Sequence, residues 1–196
     1  MSGELRIGLQ EWAVCARALT EGRSVLIVRK GGIHEPRGGL FRPEHDRFAL
    51  LPTFLHQGPE RLRAAFGGAY FAETAKPSAN ATIPVSAWAA VAQVWRLEDA
   101  RGLASLGDDI PWSPAELEAR LAYRGQRWMF ALALRVHVLE RAMALPDRPS
   151  YAGCRSWVPL EDAVPVEPAR PALDDARWSE RLARVRLALG AGVPAP

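Results

Sequence analysis

The hexapeptide Ser24-Val25-Leu26-Ile27-Val28-Arg29 limits what this chain can fold into more than any other segment. Its near-continuous apolar, β-branched run predicts a strand buried on both faces, not one with a wetted side. The run ends in two cations and two glycines, Arg29-Lys30-Gly31-Gly32. A fold that buries this strand must therefore deliver a basic turn, open to close backbone approach, at its end.

The flanking patterns supply the other elements. Leu9, Trp12, Ala13, Ala16 and Leu19 fall at helical spacing and Gly22 follows as a terminator. The alternative is one arm of a hairpin turning at Glu21-Gly22. Phe48-Ala49-Leu50-Leu51 predicts a second strand stopped by Pro52, and 67–82 is small and polar enough to be a long loop. Further strands are expected over 85–97, with Trp88 and Trp95 packing inward, and over 129–139. A short helix is expected over 100–106. Ser113-Pro114-Ala115-Glu116 starts another helix through a cap, a first-turn proline and a capping-box glutamate, and that helix stops by Gly125. After Ser156-Trp157-Val158, the prolines at 165, 168 and 171 predict an extended linker. Trp178, Leu182, Val185 and Leu189 form the apolar stripe of a final amphipathic helix over 174–189.

This order lacks regular strand–helix alternation, which favours an α+β class over a doubly wound sheet. The expected architecture is a single domain with a mixed or antiparallel sheet, or a partial β-barrel, with flanking helices and a C-terminal helix. Its divisions are a core at 1–160, a proline-rich linker at 161–172 and an amphipathic helix at 173–190.

Composition narrows the setting. Hydrophobic residues at 48% and charged residues at 24% exclude wholesale disorder. A formal charge of +3 permits a nucleic acid or another polyanion as partner without demanding one. Lys30 and Lys76 are the only lysines, a bias expected of a GC-rich genome. Two cysteines, Cys15 and Cys154, make neither a disulfide framework nor a metal knuckle. The first ten residues have no apolar signal core, and the longest apolar run, 129–134, is far below the roughly 20 residues of a membrane span. A soluble, cytoplasmic protein is expected, with no cofactor and no metal.

Four groups of residues carry candidate chemistry. Arg29, Lys30, Gly31 and Gly32 would hold a phosphate or carboxylate at a strand end, although the pattern is not a P-loop. His56 and Gln57 follow the 48–52 strand, and Glu44-His45-Asp46 precedes it. His56 is the better candidate general base, and the spacing matches no metal signature. Arg135 and His137 alternate onto one face of the 129–139 strand and are candidates to line the same cleft as Arg29. Among the seven tryptophans, Trp12, Trp88 and Trp95 read as core, while Trp112 and Trp157 are the candidates for surface stacking. A Glu-x-Lys nuclease signature is missing, because Val28 and Thr74 stand two residues before the lysines.

On Leu9-Gln10-Glu11-Trp12-Ala13, Val25-Leu26-Ile27-Val28-Arg29-Lys30-Gly31-Gly32-Ile33 and Phe48-Ala49-Leu50-Leu51-Pro52-Thr53 with His56-Gln57, the chain resembles the bacterial domain of unknown function 1802 family. Trp112-Ser113, Leu134-Arg135-Val136 and Tyr151-Ala152-Gly153-Cys154-Arg155-Ser156-Trp157-Val158 extend the resemblance over about residues 9 to 160. It implies a role beside DNA restriction or modification, because some members are associated with restriction-endonuclease-like domains, which this chain lacks. A looser resemblance is to RNA- and DNA-binding ASCH and PUA-like domains. Of their Gly-x-Lys-x-x-Glu-x-Arg pattern, Gly22 and Arg29 match, while Ser24 and Ile27 replace the lysine and glutamate.

Three functions fit these residues. The first is a nucleic-acid-associated module gripping phosphates through Arg29, Lys30 and Arg135. The second is a small hydrolase or nucleotide-processing enzyme using His56 as base. The third is a non-catalytic interaction subunit docking through Trp178, Leu182 and Val185.

Overall fold

The computed structural model describes residues 3–30, 41–74, 82–153 and 155–194. Gly31 and Gly32 of the basic turn, and Cys154, lie outside the described residues. The chain runs through β1 (Glu4–Trp12), α1 (Ala13–Thr20), β2 (Leu26–Arg29), β3 (Arg47–Thr53), α2 (Gly68–Thr74), β4 (Thr82–Leu97), α3 (Arg101–Ser105) and α4 (Pro114–Ala122). It continues through β5 (Met129–Pro146), β6 (Trp157–Pro165), β7 (Ala169–Pro171), α5 (Asp175–Leu189) and β8 (Val193–Pro194). The result is an α+β domain on a mixed sheet of order β2-β5-β4-β3-β1-β6, with β7 beside β5 and β8 beside β4. Among the described pairs only β1 with β3 is parallel.

The sheet curls. β4 and β5, 16 and 18 residues long, pair with two register shifts, between Val85 and Ala87 and between Val91 and Gln93. Such bulges bend a strand and raise its twist. Leu9 of β1, Ile27 of β2, Phe48 and Leu50 of β3, Ala89 of β4 and Leu132 of β5 consequently meet in one buried cluster. The end strands β2 and β6 do not pair with each other, so the curl is a barrel left partly open.

Several elements depart from their local signals. Residues 9–12, at helical spacing, are the end of β1, and the helix begins only at Ala13. Both backbone edges of β1 are filled, by β3 and β6, and those distant partners hold Leu9 and Trp12 in the strand, while Ala13, Ala16 and Leu19 of the same spacing are helical. β3 runs through Pro52 to Thr53, and the expected loop after 67 contains α2. The proline-rich stretch 161–172 is not a free linker: β6 reaches Pro165 beside β1, and Ala169–Pro171 pairs with β5 at His137–Leu139.

The C-terminal helix is part of the core. Leu182 and Val185 are buried with Val14, Leu103 and Trp95, and the Trp178 indole donates to the Leu134 carbonyl at 3.1 Å. The stripe packs on its own domain rather than being left free for a partner. Asp174 caps the helix by accepting the Arg177 amide at 2.8 Å. Close approach to α3 depends on Gly102, where a Cβ would lie 2.4 Å from the Ala188 carbonyl oxygen. Leu182→Ala is expected to cost about 2–4 kcal/mol in urea unfolding, through lost transfer energy and the cavity left behind. Leu187→Ala on the exposed face should stay within about 0.5 kcal/mol.

Candidate functional site

The open side of the barrel ends in a cavity of about 500 Å³. The end of β1 and the end of β2 form its inner wall. The turn after β3, the cavity-facing side of α4 and the residues just before β6 complete it. Five cations, Arg29, Lys30, Arg61, Arg120 and Arg155, line it against two carboxylates, Glu11 and Glu116.

Arg29 spans the gap between the sheet's ends. Its Nη1 donates to the Gln10 carbonyl at 3.0 Å and lies 3.4 Å from Glu11 Oε2, and its Nη2 donates to the Ser156 hydroxyl. Glu11 is only 2% exposed, and its other oxygen accepts the Trp12 amide at 2.8 Å. The pair is deep enough for its Coulomb attraction to be weakly screened, and deep enough for removal of either partner to strand a buried charge. The Nε–H of Arg29 and that of Arg155 are buried with no acceptor among the described residues. Gln57, Arg63, Arg135 and Arg148, which do not line the cavity, also carry a buried side-chain donor without an acceptor among the described residues.

Lys30 has a different task. It is 4% exposed, and its ammonium donates to the carbonyls of Leu121 (3.3 Å), Gln126 and Trp128. The strand-end lysine thus ties down the C-terminus of α4 and the turn beyond it, where the carbonyls lack helical partners. Burial, with a smaller push from Arg96, lowers its pKa. Arg120 donates to Glu116 Oε1 at 2.8 Å and to the Val28 carbonyl at 3.2 Å while lying 3.6 Å over the Trp112 ring. Ser113 accepts the Glu116 amide at 3.2 Å as a cap. The Glu116 carboxylate faces Arg120 and Arg61.

His56 lines the same cavity as Arg29, on an exposed turn at φ 59°. Its imidazole makes no hydrogen bond or ion pair with another described residue, so nothing there selects a tautomer as an oriented base requires. Gln57 turns away. Its Oε1 accepts the Val14 amide at 3.3 Å and so satisfies the start of α1. Arg135 and His137 do not line the cavity. Arg135 pairs with Asp175 and lies 5.2 Å over the Trp178 ring, while His137 stacks on Trp88 at 4.1 Å. The register that pairs His137 with Trp88 on β4 fixes that separation. His45 packs edge-on against Trp157 at 4.9 Å, also outside the cavity. No group of three or more potential metal ligands occurs among the described residues.

The tryptophans exchange roles. Trp112, a surface candidate, is 1% exposed, whereas Trp12, assigned to the core, is partly exposed on the cavity wall with Trp112 edge-on at 4.8 Å. Arg61 and Arg120 gave no local signal, since each is one arginine among many. Glu11, Trp12, Arg155 and Ser156 stood in the segments that carry the family resemblance, without a chemical reason to choose them.

The match to the family model of the domain of unknown function DUF1802 covers residues 8–184. The chain belongs to that family. The match takes in most of α5, consistent with a helix built into the domain. Among solved structures the chain is similar to ASCH from Zymomonas mobilis, with 13% identity over 90% of this chain and 92% of that one and a TM-score of 0.43. For two mutant proteins of the same ASCH the identities are 12% and 14%, with TM-scores of 0.47 and 0.44, over 93% and 90% of this chain and 97% and 95% of theirs. No curated protein matches the sequence.

Two expectations separate scaffold from site. Lys30→Ala leaves three carbonyls without a donor and should lower unfolding stability by about 1–3 kcal/mol or more, whereas Arg155→Ala should leave the unfolding midpoint nearly unchanged. Burial, then the nearby Arg135, holds the His137 pKa below its ordinary 6.5. The unfolded chain therefore takes up this proton first as pH falls, and stability is lost from about pH 6.5 down through the folded pKa. Melting temperatures across pH 8 to 5 should show part of that loss removed in His137→Phe, which keeps the stack on Trp88.

Proposed function

We propose that this protein is a nucleic-acid-associated module whose cavity holds a phosphate of its partner, and that it binds without cutting. One observation carries this reading: five cations, Arg29, Lys30, Arg61, Arg120 and Arg155, converge on one cavity against only two carboxylates, Glu11 and Glu116. A phosphate offers several acceptor oxygens and a negative charge, one in a backbone diester and up to two in a terminal monoester, which matches planar guanidinium donors in a partly desolvated site. The volume suits a small group entering from the partner, within the range of ligand pockets. The link between some family members and restriction-endonuclease-like domains supports the same direction. Lys30 contributes here as scaffold, and the ligand-facing cations are Arg29, Arg155, Arg61 and Arg120. The unoriented His56 imidazole favours binding over hydrolysis.

Fluorescence anisotropy with labelled single-stranded and duplex DNA and RNA tests this. Binding should be detectable at low salt and weaken with a log–log slope of about −1 to −2, because few phosphates reach the cavity and each contributes about 0.7–0.9. Arg155→Ala and Arg61→Ala should each lower affinity and reduce the slope by about 1. Absence of binding to all four at low salt would remove this function.

A further inference from the structure

Beyond its cations, the cavity has an apolar mouth. Four large hydrophobic side chains are exposed among the described residues: Leu55, Tyr123, Leu187 and Val193. Two of them, Leu55 at 59% and Tyr123 at 40%, line this cavity. They reach it from separate elements, Leu55 from the turn after β3 and Tyr123 from the end of α4, at the point where Lys30 fastens the following turn. The deep end is the opposite in character, since Arg29, Glu11 and Ser156 are nearly buried there.

A ligand complementary to both ends is charged at one end and flat and apolar at the other. Inorganic anions lack the apolar part. A base-paired duplex lacks access, because its bases are stacked inside and its backbone is too wide to enter a site of about 500 Å³. We infer that the cavity takes a single nucleoside phosphate, its phosphate toward Arg29 and Arg155 and its base packed at the mouth between Leu55 and Tyr123. This deepens the reading of the cavity as a phosphate site and rests on it. The shared chemistry covers a free nucleotide and an unstacked or terminal nucleotide of a single strand. Stacking on an aromatic ring suits every base, so little sequence preference is expected.

Calorimetry with inorganic phosphate, ribose 5-phosphate, adenosine and cytidine 5′-monophosphates, and a short single-stranded oligonucleotide tests the inference. Both nucleotides should bind at least about tenfold more tightly than ribose 5-phosphate, the gain expected of one stacked base. Tyr123→Ala and Leu55→Ala should each remove several-fold of that gain while ribose 5-phosphate binds unchanged, and Tyr123→Phe should keep it. These side chains are exposed, so the variants keep the fold. Oligonucleotide binding as tight as the monophosphates assigns the site to a strand, and much weaker binding assigns it to a free nucleotide. Either result keeps the inference. Equal affinity for nucleotides and ribose 5-phosphate, or a parallel loss of both in Tyr123→Ala, overturns the base contact and leaves the phosphate site standing. No binding of phosphate or ribose 5-phosphate overturns the phosphate site itself, and the inference with it.

Discussion

The contact on which the rest of this structure depends is the Arg29 guanidinium, set between the two ends of a sheet that does not close. Backbone hydrogen bonds join β2 to β5 and, through β4, β3 and β1, lead round to β6, but no ladder joins β6 to β2. Arg29 bridges that gap through the Gln10 carbonyl, the Glu11 carboxylate and the Ser156 hydroxyl. A ladder would have closed the barrel and filled the space. A side-chain bridge holds the ends apart and leaves an opening lined with donors. Burying this ion pair costs desolvation that a hydrophobic pair would not.

The cavity is thus a product of the curl. Bulges in β4 and β5 bring the sheet round, and the interior packs with Phe48, Leu50 and Leu132. α4 then covers the open side, secured at its start by Ser113 and at its end by Lys30. The helix presents Glu116 and Arg120 inward by its 3.6-residue period, which sets them on one face as an i, i+4 pair. In the same apolar cluster as Leu117 and Leu121 of α4, α5 buries Leu182 and Val185, and Gly102 lets α3 approach it closely. Arg181 and Arg184 are tied to Asp109, and Arg148 to Glu161 and Asp162, away from the cavity.

Much of the fold was legible locally. β2, β4, β5, α4 and α5 follow from apolar runs and caps whose physics is confined to a few neighbouring residues. The strand character of 9–12 and 161–171 was not, because it comes from partners remote in sequence, as in the pairings of Leu9 with Leu50 and Trp157 and of Val138 with Arg170. The site was legible in the same uneven way. Arg29 was visible as a cation ending a buried strand. Its neighbour Lys30 looked equivalent in sequence, yet adjacent strand residues point to opposite faces. One faces the sheet's gap, and the other reaches the carbonyls after α4.

The sequence by itself determined the α+β class, the buried β2 strand, the capped helix at Ser113 and the arrival of positive charge at a strand end. Each depends on local spacing, propensity or charge. Only the tertiary structure decided that Arg61, Arg120 and Arg155 join Arg29, that His56 lies with them and that Arg135 and His137 do not. It also moved Trp12 to the cavity wall and Trp112 into the core. Those assignments follow from strand register and sheet curl, which are set by pairing between remote segments and leave no periodic mark on the chain.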